Sequence, residues 1–296
     1  MQTQNKQQQL IWAIVPFINC IQNTKDTIID LLYQKGVQVN VLAIDNGSDL
    51  ASWEEIRDWA RMVGSVREGM QGKVIAWRHN PPLPSLSATW NAALDFVWGC
   101  GGDVAMVCNN DIRMKPWTVA ALMGYQEKEG ALFVSAVGVT KEQYDALQEC
   151  PGEDSHHGGP DFSCYLITEL GHKKYRFDEL FCPAYCEDLD MHRRYMLGGD
   201  GARIFSVNVP YLHKDNGSGT LKSFSPERAE QFHRSVAAGS RSYYKAKWGG
   251  GANEERFQWP FNTAPESELD AHPDCGQRCA TTPQLQAHGC RGGRTD

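Results

Sequence analysis

Apolar residues along this chain come in short blocks separated by segments of mixed polarity. Residues 10–16 (LIWAIVP) and 37–44 (VQVNVLAI) are such blocks, closed by Pro16 and by the turn sequence Asp45-Asn46-Gly47-Ser48. Blocks of this length and composition predict buried strands. Between them, residues 24–34 place Ile28, Ile29, Leu31 and Leu32 at helical spacing, with Asn23 or Thr24 as the expected N-cap. The alternation continues with a helix over 52–62, a strand over 74–77, a helix over 87–98 and a strand over 104–108. Strands joined through helices of this length imply an α/β fold with a parallel sheet covered on both faces.

Beyond Pro116 the rhythm loosens. The pattern predicts a helix over 117–127, a strand over 131–136, a Gly/His/Asp-rich loop over 152–161 and a strand over 162–168. A helix over 187–197, a strand over 204–209 and an amphipathic helix over 226–247 follow. Residues 265–296 contain only Leu269 and Leu285 as large aliphatic residues and no aromatic residue. Such a segment cannot bury enough apolar surface to offset its ordering entropy. The expected organisation is therefore a polar segment over 1–9, one domain over 10–262 and a disordered tail over 263–296.

Charge narrows the function classes. Twenty-nine basic and thirty-six acidic residues give a net charge of −7, which argues against binding nucleic acid or anionic lipid by bulk electrostatics. No apolar run is long enough to span a bilayer, and the Gln-rich start has no signal-peptide pattern, so the expectation is a cytoplasmic protein. The ten cysteines are accordingly expected to be reduced thiols.

In open α/β sheets, ligands bind beyond the carboxyl ends of the strands. Four strand ends here carry polar or special residues: Pro16-Phe17-Ile18-Asn19, Asp45-Asn46-Gly47-Ser48, His79-Asn80 and Asn109-Asn110-Asp111. A carboxylate at Asp45 can accept a hydrogen bond from a base or ribose, and Asp111 can hold a divalent cation through hard oxygen ligands. Together they point to a nucleoside diphosphate site.

The succession IVPFIN, AIDNGSD and VCNNDI resembles the family 2 glycosyltransferases with the GT-A fold. The segments SLSATWNAAL (85–94), FDELFCPAYCEDLDMHRRYMLGG (177–199) and Tyr211-Leu212-His213 are similar to later stretches of that family. The resemblance covers roughly residues 10–215 and departs from the pattern where Asn109 stands for the first acidic residue. It implies a Rossmann-like, mixed and mainly parallel sheet with helices on both faces, residues 10–115 forming the nucleotide-sugar half and 116–262 the acceptor half. It also implies a metal-dependent sugar transfer from a UDP- or dTDP-sugar, with inversion. Asp188 is then the expected general base, assisted by Glu187. Asp111 and His213 would hold Mn2+ or Mg2+, and Asp190 and Arg194 would support the acceptor side. Pro16, Phe17, Asn19, Asp45, Asn80, Asn91, Asn109 and Asn110 are the expected nucleotide-sugar contacts, with Arg78 as an alternative to Asn80. A glycan, a protein, a lipid-linked sugar or a modified nucleotide are all compatible acceptors.

Two other functions compete: a nucleotidyltransferase, which wants a basic glycine-rich loop that PFINCIQNT lacks, and a nucleotide-sugar or carbohydrate-binding protein without turnover. The flexible composition of 214–220 suggests a lid. Residues 222–256 hold seven basic and four acidic residues interleaved with aromatics, a face able to contact diphosphate, a phosphorylated acceptor or a nucleic acid, but read first as a solvated amphipathic helix packed by its aromatics. His272, Cys275, Cys279, His288 and Cys290 fit no tight zinc-binding spacing.

Overall fold

The computed structural model describes residues 9–63, 72–151, 155–156, 159, 161–214 and 219–264. The expectations for the N-terminal segment and for the tail with its Cys/His cluster therefore lie outside the described residues, except at their inner edges. In chain order the elements are β1 (Gln9–Phe17), α1 (Ile21–Leu32), β2 (Val37–Asp45), α2 (Leu50–Val63), β3 (Val74–Arg78), α3 (Leu86–Gly99), β4 (Val104–Cys108), β5 (Ile112–Met114) and α4 (Thr118–Glu129). Then follow β6 (Phe133–Val139), α5 (Lys141–Ala146), β7 (Ser155–His156), β8 (Cys164–Thr168), α6 (Glu169–Lys174), α7 (Glu187–Leu197), β9 (Ile204–His213), α8 (Gly219–Lys222), α9 (Pro226–Val236) and α10 (Ser242–Trp248).

One nine-stranded sheet runs in the order β3-β2-β1-β4-β8-β6-β9-β5, with β7 also on β9. The strands β1 to β4, β6 and β9 point the same way, while β5, β7 and β8 run against them. The sheet is thus mixed and mainly parallel, as expected. Its central strands read as continuous apolar runs because both faces are covered. On β1, Ile11, Ala13, Val15 and Phe17 belong to one apolar layer, which also holds Ile28 and Leu31 of α1, Ile56 of α2 and Val119 and Leu122 of α4. On the other face, Ile14 shares a second apolar layer with Trp90, Ala93, Leu94 and Val97 of α3 and Met191 and Tyr195 of α7. Burying each large side chain of this kind contributes about 1.5–3 kcal/mol.

Several boundaries differ from the sequence pattern. Helix α1 begins at Ile21, with Cys20 in the left-handed region (φ 51°) at its N-cap rather than Asn23 or Thr24. β9 extends to His213 because its outer half pairs with β5 and β6. The single helix expected over 226–247 is two helices joined by a π-helical turn over Ala237–Arg241. That turn packs so closely that a Cβ at Gly239 would lie 2.5 Å from the Cys182 carbonyl oxygen. Cys20, Cys100, Cys108, Cys150, Cys164 and Cys186 are reduced as expected, whereas Cys182 is disulfide-bonded, which corrects the expectation of reduced thiols throughout.

Candidate active site

At the carboxyl ends of β1, β2 and β4, a cavity of about 790 Å3 opens between the sheet and the C-terminal helices. Its wall includes Pro16, Phe17, Ile18, Asn46, Asn109, Asn110, Asp111, Glu187, Asp188 and His213, so residues from both halves of the domain share it. Apolar groups, among them Leu83, Leu86, Trp90, Phe162 and Phe224, complete the lining.

Asp111 and His213 meet through strand register. After β4 the chain turns at Asn109-Asn110-Asp111 and re-enters the sheet as β5, where Ile112 lies opposite His213 of β9. The neighbouring Asp111 Oδ1 consequently sits 3.5 Å from His213 Nε2, and Lys214 N donates to the Asp111 carbonyl at 2.8 Å. Asp111 Oδ2 accepts the Gly219 N–H at 2.8 Å, which fixes the carboxylate plane. His213 Nδ1 is buried without a hydrogen-bond partner among the described residues. Asn110 is held by its own donation to Thr24 Oγ1 at 3.0 Å.

Helix α7 supplies the second acidic pair. Glu187 opens the helix and is almost fully buried, with Oε2 unpartnered among the described residues. Burial, and then the negative charge of Asp188, push its carboxyl up to about 8. The Asp188 carboxyl is also raised, chiefly by burial, and it accepts the Leu189 N–H at 2.8 Å. A carboxyl raised this far keeps its proton near neutral pH, so Glu187 can act as a donor beside Asp188, an arrangement that suits acid–base chemistry.

Other expected contacts are not on the cavity wall. Asn91 is fully buried in α3, where Nδ2 donates to Phe177 O and to Glu179 Oε1, both at 2.8 Å, and Oδ1 lies 2.9 Å from His172 Nε2. Its hydrogen-bonding capacity goes to the protein, so it ties α3 to the 177–179 segment instead of binding a ligand. Asp45 is sealed from solvent: it accepts the Ser48 N–H at 3.0 Å and faces Arg78 Nε at 3.3 Å. Arg78 also donates to Ser48 O at 2.9 Å, so this pair braces the turn while Asn46 reaches the cavity. Asn19 joins the same turn, accepting from Asp49 N at 3.1 Å, and Asn80 is exposed and does not line the cavity.

Asp190 and Arg194 also lie behind the wall. Arg194 Nε donates to Asp190 Oδ2 at 2.7 Å with neither side chain exposed. They support α7 from beneath rather than meeting a ligand. Their spacing of four along the helix permits this pairing but says nothing of the depth of their burial.

Sequence reasoning missed Asp161, whose charge contributes to raising the Asp188 carboxyl and which accepts from Tyr211 Oη. It stands in the polar loop before β8, where only its position at the cavity marks it. On α9, Arg228, Gln231, Phe232 and Ser235 line the cavity, which favours the ligand-contact alternative for this segment over the solvated helix that was read first. Of the expected lid over 214–220, residues 215–218 fall outside the described residues, while Gly219 docks on Asp111. Among the described residues no cluster of three or more His, Cys, Asp or Glu side chains could hold a metal, and no helix is long and apolar enough to cross a membrane.

No protein-family model matches the chain, and no curated protein matches it in sequence. Solved structures do match in fold. Mannosyltransferase PcManGT from Pyrobaculum calidifontis, in complex with GDP-Man and Mn2+, superposes with a TM-score of 0.52 at 13% identity, over 73% of this chain and 60% of that one. TarS 1-349 of S. aureus, in complex with UDP-GlcNAc, gives 0.51 at 14% identity over 78% and 66%. Glucosyl-3-phosphoglycerate synthase from Mycobacterium tuberculosis, with Mn2+, UDP and glucosyl-3-phosphoglycerate, gives 0.50 at 14% over 78% of each chain. The chain thus spans about two thirds or less of the first two, and it shares with all three the GT-A fold.

Proposed function

We propose that this protein is a cytoplasmic glycosyltransferase of the family 2 type, moving a sugar from a nucleoside diphosphate sugar to an acceptor hydroxyl with inversion. The observation that carries the reading is one cavity at the strand ends holding both the Asp111–His213 pair and the Glu187–Asp188 pair. Sugar transfer requires two such poles. Negative charge builds on the departing diphosphate at one, and the acceptor hydroxyl loses a proton at the other.

The donor set fits a divalent cation. A carboxylate oxygen faces an imidazole nitrogen, and ions of the Mg2+ and Mn2+ kind commonly take one or two protein ligands and fill their remaining positions with phosphate oxygens and water. Asp111 and His213 would hold it, and Asn109, in place of a second carboxylate, would leave the site one charge poorer. When bound, the ion supplies Lewis-acid stabilisation of the leaving diphosphate.

Asp188 is assigned as the base that takes the acceptor proton, and protonated Glu187 as the donor that orients the acceptor or the transferred sugar. Phe17 and Pro16 offer an apolar surface at the nucleotide end, where the supporting Asp45–Arg78 pair shapes the turn. Thermal stability measured with UDP-glucose, UDP-galactose, dTDP-rhamnose and GDP-mannose, with and without Mn2+, tests the reading: a true donor stabilises the fold by mass action. Mn2+-dependent hydrolysis of that donor separates an enzyme from a binding protein without turnover, which Asn109 alone would favour. No stabilisation by any nucleotide sugar would overturn the assignment.

A further inference from the structure

The face of α9 that meets the cavity is built from four residues at helical spacing. Arg228, Gln231, Phe232 and Ser235 stand at i, i+3, i+4 and i+7. The rest of α9 has little to do with the core: only Val236 of the helix is buried. Among the described residues on the cavity wall, Arg228 is the one lysine or arginine, set against Asp111, Asp161, Glu187 and Asp188. Its guanidinium lies 3.9 Å from the centre of the Phe224 ring, and no carboxylate of the described residues pairs with it. A planar cation held over an aromatic face and left without a counter-ion is suited to an anionic ligand.

The aromatic partners of this face locate it. Phe232 contacts Tyr185 edge-on at 6.2 Å and Phe224 at 6.2 Å. Tyr185 and Cys186 both take left-handed backbone conformations, φ 73° and 72°, directly before Glu187. Two consecutive non-glycine residues in that region are costly, and such strain concentrates where a side chain must be presented in one direction. It leaves Tyr185 44% exposed at the cavity wall, two residues from Glu187 and three from Asp188. The wall of Tyr185, Phe232 and Arg228 therefore adjoins the end of the cavity where a proton would be removed.

We propose that Tyr185, Phe232 and Arg228 form the acceptor subsite, and that it takes an acceptor with a ring and an anionic phosphate or carboxylate group. The rings of Tyr185 and Phe232 offer a stacking surface, Arg228 meets the anion, and Gln231 and Ser235 supply hydrogen bonds to hydroxyls. The inference rests on the glycosyltransferase reading, which assigns the other end of the cavity to the donor.

Phenyl phosphate and UDP serve as separate probes, each followed by calorimetry and ligand-observed NMR on the full chain with Mn2+. Phenyl phosphate should bind in the presence of saturating UDP. Arg228→Met and Phe232→Leu should each weaken it by about tenfold or more while leaving UDP affinity within about twofold. Arg228→Lys should restore part of the phenyl phosphate affinity, and phenol and inorganic phosphate should each bind more weakly than phenyl phosphate. Displacement of phenyl phosphate by UDP, or loss of UDP affinity in Arg228→Met, would overturn the proposal and assign Arg228 to the donor diphosphate. Absence of UDP binding by the unmutated protein, with phenyl phosphate still bound through Arg228, would instead remove the donor reading and leave an anion site standing.

Discussion

Lys247 Nζ lies 2.7 Å from Asp190 Oδ1, and neither side chain touches solvent. The same ammonium is 2.7 Å from Asp178 Oδ2, while Trp248 Nε1 and Arg194 Nε donate to the two oxygens of Asp190 and Tyr243 Oη donates to Asp178. Two cations and two carboxylates thus form a neutral buried cluster. It fastens α10 to α7, which carries Glu187 and Asp188, and to the 177–179 segment.

Replacing one partner of such a cluster leaves a buried carboxylate uncompensated. Lys247→Met is expected to destabilise the fold by about 3–5 kcal/mol, read as a lower urea midpoint. A midpoint unchanged within error would mean that the ion pair is dispensable to the clamp.

Asn91 makes a second prediction, because its role is framework rather than ligand. Asn91→Ala would orphan His172 Nε2 and the Phe177 carbonyl, each buried, and is expected to cost roughly 2–4 kcal/mol in stability. Donor affinity of the folded variant should stay close to that of the unmutated protein. A selective loss of nucleotide binding without loss of stability would return Asn91 to the ligand site.

How much of this was legible in the sequence depends on the range of the interaction. The first half of the domain could be read because each strand is an apolar run closed by a turn residue and each connecting helix has its own periodicity. β5 could not, since three residues, Ile112 to Met114, become a strand only through pairing with β9. That same pairing brings Asp111 to His213 across about 100 residues of chain, a contact implied by family resemblance but by no local pattern. Asp45 was read as a ligand contact because polar residues at strand ends commonly are, and Asn91 because the family resemblance of its helix implied it. Only the structure reveals that their polar atoms are spent on Ser48 and Arg78, and on Phe177, Glu179 and His172. The inward face of α9 was legible only as one of two alternatives, because an amphipathic pattern identifies a face without saying whether it meets solvent, a core or a cavity.

Glu187 makes stability depend on pH in a direction fixed by its shift. Its folded carboxyl is pushed up from 4.5 to about 8, chiefly by burial. Below the lower value the group is protonated whether the chain is folded or not, and the neutral buried acid carries no ionisation penalty. Between the two values the folded state keeps a proton that the unfolded state releases, so this contribution to stability falls as pH rises and is gone above about 8. Glu187→Gln cannot ionise and should therefore gain stability relative to the unmutated protein across that window, with the gain levelling above it. Melting temperatures of both proteins from pH 5 to 9 check this, and a constant difference across the range would show that Glu187 does not titrate as its burial demands.

The Asp111–His213 pair separates the two poles of the proposed site most directly. Asp111→Asn keeps an oxygen to accept the Gly219 N–H but removes the charge that would hold a divalent cation. If the pair is the metal site, Mn2+ should tighten UDP binding to the unmutated protein and EDTA should reverse the effect. In Asp111→Asn that Mn2+ dependence should shrink by on the order of tenfold or more, while UDP affinity in EDTA stays nearly the same. Asp188→Asn should behave the opposite way, keeping Mn2+-dependent UDP binding while transfer falls by about 10^2–10^4. The two variants together therefore ask whether diphosphate and acceptor chemistry are divided between β4/β9 and α7. Calorimetry with UDP and turnover with the donor from the nucleotide-sugar panel give the answer. Full Mn2+ dependence in Asp111→Asn would sink the metal assignment, and retained transfer in Asp188→Asn would sink that of the base.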